Sequence, residues 1–502
     1  MIVDWEYKNQ NLIISYISEG GWIKMKYYNW PNPSKYVICQ DNDRDKDGQY
    51  VTWDGNSVKK VYTRYPDRYC VYDYLDDLPQ EEQDILFKYV EPEIFFVDIE
   101  NEILDSKPQP QLAQGAIQSI SIVSKNKVLV LGLDFLSVEQ EKSIKEDINN
   151  YFIKFNANYE FKFIRYKNEY EMLLNFFEKL VPKMPVITGW NFLEYDWVYL
   201  VNRARKIGVD PTSASNTKLL RPPSRRDNKS GIKKESYCEL PAHRLIIDYM
   251  ELYDKWNSTI KVKESSSLDF VSEGILGIKK VNYEGSLKTL STTDYKKFIF
   301  YNAVDSILVQ KIHEKTKWID ILYGISTLSR IRTLDAYSTL PVTEGILRRK
   351  LKKEKNVILC RLDSSDDIST SDEKSVKGGW VKEPVKGMAN WTACYDFASL
   401  YPTCMRMFNI SADSYKGVLS PSKDFSIFNN HKVELNPKDI ILLNDTVFKN
   451  ETGIVNQVIA DIYSDRRKYK GFMMNDHDHL EEIKRELKTM EDDLLISLEY
   501  IN

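Results

Sequence analysis

The sequence predicts an α/β multidomain chain with a β-rich beginning, on three observations. A chain of 502 residues exceeds one ordinary core, so roughly two to four domains are expected. Residues 1 to about 92 are rich in Tyr, Trp and Lys and carry short alternating runs, whereas 93 to about 317 alternate strand and helix periods. Between these parts stands Ile94-Phe95-Phe96-Val97-Asp98-Ile99-Glu100, a run of β-formers with two acids one residue apart at its end.

Composition narrows the function classes. A hydrophobic content of 42% with 29% charged residues is that of a soluble globular protein. No run approaches the roughly 18 apolar residues of a membrane span. The start, Met1-Ile2-Val3-Asp4-Trp5-Glu6, has neither the basic nor the apolar region of a secretory leader, so none is expected. Cys39, Cys70, Cys238, Cys360, Cys394 and Cys404 form no C-x-x-C pair. They predict reduced thiols rather than a disulfide framework or zinc site. The net charge of −4 means that any nucleic-acid contact must be local.

Taken in order, Leu12 to Ile17, Tyr36 to Cys39 and Val58 to Thr63 read as strands of the first domain. Asp43-Arg44-Asp45-Lys46-Asp47-Gly48 resembles the start of a calcium loop, with Asp54 at its twelfth position. Its flanks read as strands and the twelfth position is Asp rather than Glu, so an Asp-Gly hairpin turn is preferred. In the acidic run, strand alternation puts Asp98 and Glu100 on one face. Two such carboxylates repel unless a cation or proton lies between them. Many ordinary strands also run out into acids, so the later segments decide.

Ala116 to Ser124 and Lys127 to Gly132 read as strands. Val138 to Phe155 and Asn168 to Leu180 read as helices, the second capped by Asn168. Val186 to Asn191 reads as a buried strand turning at Gly189, and Phe192 to Lys206 as a helix with Asp196 near its start. Arg221 to Glu235 is a basic segment with Arg225, Arg226, Lys229, Lys233 and Lys234, by default a solvated loop. Tyr295 to His313 reads as a helix with Tyr301 and Asp305 on one face.

Three blocks now stand in order: Val97-Asp98-Ile99-Glu100, Gly189-Trp190-Asn191 through Tyr195-Asp196, and Tyr301-Asn302-x-x-Asp305. Together they resemble the DEDDy 3′–5′ exonucleases, and closely the proofreading domain of family B DNA polymerases. The resemblance implies a ribonuclease H-like exonuclease domain at 93–317. It implies that Asp98, Glu100 and Asp305 ligate one Mg²⁺ or Mn²⁺, that Asp98 also binds a second, and that Asp196 completes the acidic set. Tyr301 would orient the attacking water. Phe95, Phe96, Trp190, Phe192 and Tyr301 stand near these acids and suggest stacking on unpaired bases. Asp248-Tyr249-x-Glu251-Leu252-Tyr253 and Ser267-Leu268-Asp269-Phe270-Val271 look like the T4-type phage members. The resemblance also implies that the basic 221–235 segment corresponds to a hairpin that helps separate primer from template.

Residues 318 to about 366 continue helically, and the polar run Asp363 to Asp372 reads as a hinge. After Lys377-Gly378-Gly379-Trp380-Val381, Glu383-Pro384 and Gly387 comes Tyr395-Asp396-Phe397-Ala398-Ser399-Leu400-Tyr401-Pro402. It contains the D-x-x-S-L-Y-P core of polymerase motif A, and the paired glycines resemble the family's linker between modules. The resemblance implies a partial palm at 367–453 and the first part of the fingers at 454–502. The N-terminal domain, 1–92, would be completed by about 318–366. Asp396 and the Phe397 carbonyl would hold metal, Ser399 and Leu400 would offer N–H groups to a triphosphate, and Tyr401 would pack under the sugar. Arg466 and Lys470, four apart on a helix, would bind the incoming dNTP.

The sequence has no D-T-D of motif C and no K-x-x-x-N-S-x-Y-G of motif B. Two-metal transfer needs both palm acids, so Asp396 alone is not expected to polymerise. The expectation is the N-terminal part of a phage replicative DNA-directed DNA polymerase. It would act on primer-template and single-stranded DNA in the cytoplasm of an infected bacterium. A second chain would complete it, and a sliding clamp would engage the missing part. A stand-alone exonuclease with a vestigial polymerase part, or a non-catalytic DNA-binding subunit, are the alternatives.

Overall fold

Asp98 and Glu100 lie on a central strand of a six-stranded mixed sheet. In this computed structural model the described residues are all except 40–49, 53–54, 105–107, 222–237, 257–264, 283–286, 358–381, 384–385, 389, 398, 420–432, 434 and 502; for 287 and 490–501 only the backbone is described. The Asp43–Gly48 run and Asp54, the basic residues Arg225 to Lys234, the Asp363–Asp372 hinge, the Gly378-Gly379 pair and Ala398 lie outside the described residues. The chain divides into two compact units, one of Met1–Pro33 with Tyr62–Gly345 and one of Ser34–Val61 with Ile346–Asn502.

The first unit is built on β1 (Ile94–Asn101), β2 (Ile117–Ser124), β3 (Lys127–Gly132), β4 (Glu160–Arg165), β5 (Val186–Gly189) and β6 (Leu245–Asp248). Their order is β4-β3-β2-β1-β5-β6. β2 runs antiparallel to both neighbours and every other pairing is parallel. Period-two alternation along β1 feeds two cores. Phe96 joins one with Phe298, Ile299 and Val304 of a helix that follows later in the chain. Val97 and Ile99 join the other with Trp197 and Leu200.

The helices that matter here are α1 (Val138–Tyr151), α2 (Glu169–Asn175), α3 (Asp196–Lys206), α4 (Leu268–Leu276) and α5 (Tyr295–Thr316). α1 stops at Tyr151, and a 3₁₀ turn covers Ile153–Phe155. Asn168 caps α2 as expected, its side chain accepting the Glu171 N–H at 2.9 Å. Its continuation, Phe176–Leu180, is a π-helical turn. α3 begins at Asp196, four residues later than the hydrophobic pattern suggests. Asn191 takes the left-handed conformation at φ 58°, and Asp248 accepts the Leu193 N–H at 3.0 Å, which holds 191–195 as a turn.

An antiparallel meander of Ile2–Lys8, Asn11–Ile17 and Ile23–Asn29 precedes this sheet. The stretch read as β-rich also holds two helices, Arg68–Asp76 and Gln80–Phe87. Asp67 caps the first through the N–H groups of Tyr69 and Cys70. No described helix is long and apolar enough to cross a membrane.

In the second unit, Ser34–Ile38 pairs with Val58–Tyr62, and Val51–Thr52 with Asn356–Val357. Tyr415–Val418, Thr446–Phe448 and Ile440–Ile441 form a three-stranded antiparallel sheet. A long helix spans Ile454–Ile501. Its first turn is fixed by side chains that satisfy open N–H groups: Asp413 accepts from Ile454 at 3.0 Å and Ser411 from Val455 at 3.2 Å. Ile454 and Val458 pack on Leu347 and Leu351. Further along, Ile462, Tyr469, Phe472, Met473, Leu480, Ile483 and Leu487 are exposed.

A candidate carboxylate metal centre

The acids come together because β1 and α5 carry them to one point. Asp98 and Glu100 share a face of β1, and a register shift between Glu100 and Asn101 marks a bulge at the strand's end. Across on β2, Ser121 lies opposite Asp98 and Ser119 opposite Glu100. Both serines are small and fully buried, which lets α5 close on the sheet. Ser119 donates to the Asn302 side-chain oxygen at 3.0 Å and Ser121 to its backbone carbonyl at 3.0 Å. The Asn302 amide then donates to Asp98 at 2.7 Å. One turn on, Asp305 faces the same point. Carboxylate oxygens of Asp98, Glu100 and Asp305 all lie within 4.8 Å of one another.

Asp196 sits beside this group rather than within it. Its Oδ1 accepts the Ile99 N–H of β1 at 3.2 Å, and its charge couples to Asp98. Gly189 explains how β5 delivers it. A Cβ there would lie 2.4 Å from the Val97 carbonyl oxygen and 2.7 Å from the Phe192 ring, so only glycine fits.

Burial, then the charge of Asp305, pushes the Asp98 carboxyl up to about 7, against the pull of Lys280 and Asn302. Burial, then Asp98 and Asp305, holds Glu100 well above the usual carboxylate range. Burial, then Asp98, does the same for Asp196, although the Ile99 N–H opposes it. Burial also raises Asp305, while Lys280 and Tyr301 oppose the rise. Four acids with raised proton affinity form a site that a cation relieves. The Asp305 Oδ1 atom is buried without a hydrogen-bond partner. Three convergent carboxylates, one of them with an orphaned oxygen, fit Mg²⁺ or Mn²⁺.

Lys280 is the residue that sequence reasoning missed. Its Nζ lies 2.5 Å from Asp305 and donates to the Tyr301 hydroxyl at 3.1 Å. Burial alone would lower its pKa, but Asp305, Tyr301 and Asp98 more than reverse that and keep it charged. Nothing in Ile278-Lys279-Lys280 distinguishes it from a surface lysine. Asp248 was missed as a brace: it accepts the N–H groups of Leu193 at 3.0 Å and Met250 at 2.9 Å. Of the aromatic set, Phe96 and Phe192 are core residues and cannot stack on a base. Tyr301 is buried beside the acids. Phe95 and Trp190 are partly buried, and the Trp190 indole donates to the Ser266 carbonyl at 2.8 Å.

The second unit treats its motif differently. Asp396 lies in an irregular, exposed segment that pairs with no described strand. Tyr395, Phe397 and Tyr401 are 92%, 75% and 81% exposed. Ser399 has φ 53° and precedes a helix at Leu400–Met407. Arg466 and Lys470 are exposed one turn apart on the long helix.

Fold and site together define an α/β chain with acids gathered from the end of the central strand β1, the start of α3 and the middle of α5. Residues 65–271 match the family model described as DNA polymerase family B, exonuclease domain, and residues 332–488 match that of DNA polymerase family B. The chain belongs to DNA polymerase family B. Tyr301 and Asp305 lie beyond the first matched segment. Among curated relatives, the DNA-directed DNA polymerase of Escherichia phage RB69 is 26% identical over 322 residues, 62% of this chain and 34% of that protein. That of Enterobacteria phage T4 is 25% identical over 331 residues, 64% and 35% respectively. DNA polymerase 1 of Sulfurisphaera ohwakuensis is 25% identical over 339 residues, 63% and 34%. The matched part spans about a third of the length of these relatives.

Proposed function

We propose that this chain is the N-terminal part of a phage-type replicative DNA-directed DNA polymerase and that its 93–317 domain hydrolyses 3′-terminal nucleotides from single-stranded DNA. The convergence of Asp98, Glu100 and Asp305, with a buried unpartnered oxygen on Asp305, carries this reading. Asp98, Glu100 and Asp305 would hold one divalent cation, and Asp98 a second beside Asp196. Such cations supply the Lewis acidity that activates water and stabilises the leaving 3′-oxygen.

The chain's own residues do the rest. Asn302 fixes the Asp98 rotamer from behind, and the two serines fix Asn302. The Tyr301 hydroxyl accepts from Lys280 and turns toward Asp305. Its oxygen is thereby set beside the acids, where it can orient the attacking water. Lys280 offsets part of the negative charge that a DNA backbone must approach.

In the same reading, 1–92 with about 318–366 is the N-terminal domain, 367–453 a partial palm and 454–502 the start of the fingers. Asp396 and the Phe397 carbonyl would hold the polymerase metals. Ser399, Leu400, Arg466 and Lys470 would bind the dNTP, and Tyr401 would exclude a ribose 2′-OH by bulk. A second chain carrying motifs B and C would supply the other aspartate. It would cover the exposed apolar side chains of the motif A segment and of the long helix. A sliding clamp would act through that partner, in the host cytoplasm.

The test is 3′-end trimming of labelled single-stranded DNA in Mg²⁺. Asp98→Ala with Glu100→Ala should abolish it. Trimming unchanged in that double variant would sink the assignment. Adding the partner should allow primer extension, which Asp396→Ala should then remove.

A further inference from the structure

We propose that Asp269 is a positioning residue for the carboxylate centre: from α4 it fixes the backbone of Lys280 and so holds the ammonium that bridges Asp305 and Tyr301. This rests on the exonuclease reading for its effect on rate, but not for its effect on cation binding.

Lys280 stands in an irregular stretch just past α4, which ends at Gly277 in the left-handed conformation, φ +64°. A lysine stem has four rotatable carbons, so its ammonium is placed only as well as its backbone is held. Lys154 donates to the carbonyls of Leu276 at 2.7 Å and Gly277 at 2.9 Å. Tyr151 donates to the Lys279 carbonyl at 2.5 Å. Asp269 reaches Lys280 itself, its Oδ1 accepting the Lys280 N–H at 2.7 Å.

Both ends of the connection rest on rigid elements. Leu268, Val271 and Leu276 of α4 share a core with Ile299, Ala303 and Val304 of α5, the helix that carries Tyr301 and Asp305. The path therefore runs from the α4 carboxylate through one backbone N–H and one side chain to two groups of the centre. Asp269 also lies in the first turn of α4, where an acid favours the helix on its own account, so the test must separate the two roles.

A double-mutant cycle does so, using Asp269→Ala, Asp269→Asn, Lys280→Met and the Ala/Met pair in the full chain. Each variant is read by trimming kinetics on single-stranded DNA and by Mn²⁺ titration without DNA. Asp269→Ala should slow trimming by about 10–100-fold, in kcat rather than KM. Asp269→Asn, which keeps an acceptor oxygen for the Lys280 N–H, should restore most of the rate. With Lys280 already Met, Asp269→Ala should change the rate by less than about twofold. Lys280→Met removes the cation that partly neutralises the acids, so Mn²⁺ should bind several-fold tighter. Asp269→Ala should tighten it in the same direction, but not in the Met background. Losses that add in the two backgrounds, or an Asp269→Ala effect on Mn²⁺ that persists without Lys280, would overturn the proposal. If the wild-type chain does not trim DNA, the exonuclease reading falls, and the Mn²⁺ cycle still decides the positioning role.

Discussion

The carboxylate centre and the motif A segment both carry candidate metal-binding acids, yet they differ in burial and in support. Asp98 is held by an asparagine that two buried serines hold in turn, and Asp305 faces a lysine. Asp396 lies in an exposed, irregular segment whose aromatic neighbours are open to solvent. The first site has its supporting groups on packed strands and helices, which is what preorganised catalysis requires. The second has one acid in an exposed segment, with Tyr395, Phe397 and Tyr401 open to solvent around it.

The largest contrast should be in activity. Asp98→Ala with Glu100→Ala should reduce trimming by about 10³-fold or more, whereas Asp396→Ala should leave it unchanged. A comparable loss from Asp396→Ala would break the comparison. Stability comes next. Asp248→Ala strands the N–H groups of Leu193 and Met250, and should cost about 2 kcal/mol or more in denaturant unfolding. It should also slow trimming, because the turn it braces delivers Asp196.

The pH response sharpens the contrast further. An acid whose folded pKa lies above its unfolded value binds more protons when folded, so stability falls as pH rises between the two. With Asp98 at about 7, the cation-free protein should lose stability from about pH 4 through pH 7. The loss should be on the order of 4 kcal/mol. Mg²⁺ or Mn²⁺ should recover it at neutral pH. Asp98→Asn should flatten the slope; an unchanged slope would mean that the acids are not crowded as described. The smallest effect is expected at the other site, where Asp396→Ala should shift unfolding by less than about 0.5 kcal/mol.

Much of the first site was legible in the sequence because motif spacing coincides with structural period. Asp98 and Glu100 obey the strand repeat, and Tyr301 with Asp305 the helix repeat, so each pair shares a face before any tertiary contact is known. Lys280 was not legible, since a lysine in an irregular segment reaches the acids only through the packing of α4 on α5. Of the base-stacking candidates, Phe96 and Phe192 are core residues, because an aromatic beside an acid in sequence can point into the opposite core. The start of α3 was misplaced because a buried carboxylate 55 residues away, Asp248, holds the preceding turn. Motif A was legible as a pattern, and among the described residues Asp396 lies in no strand or helix. A strand needs a partner to satisfy its backbone groups.

The most direct test follows one labelled primer-template with a mismatched 3′ end, incubated with the purified chain, Mg²⁺ and all four dNTPs. The account predicts shortening alone, lost in the Asp98→Ala, Glu100→Ala variant and kept in Asp396→Ala, with no extension. Extension by this chain alone, or shortening that survives loss of both β1 acids, would contradict it.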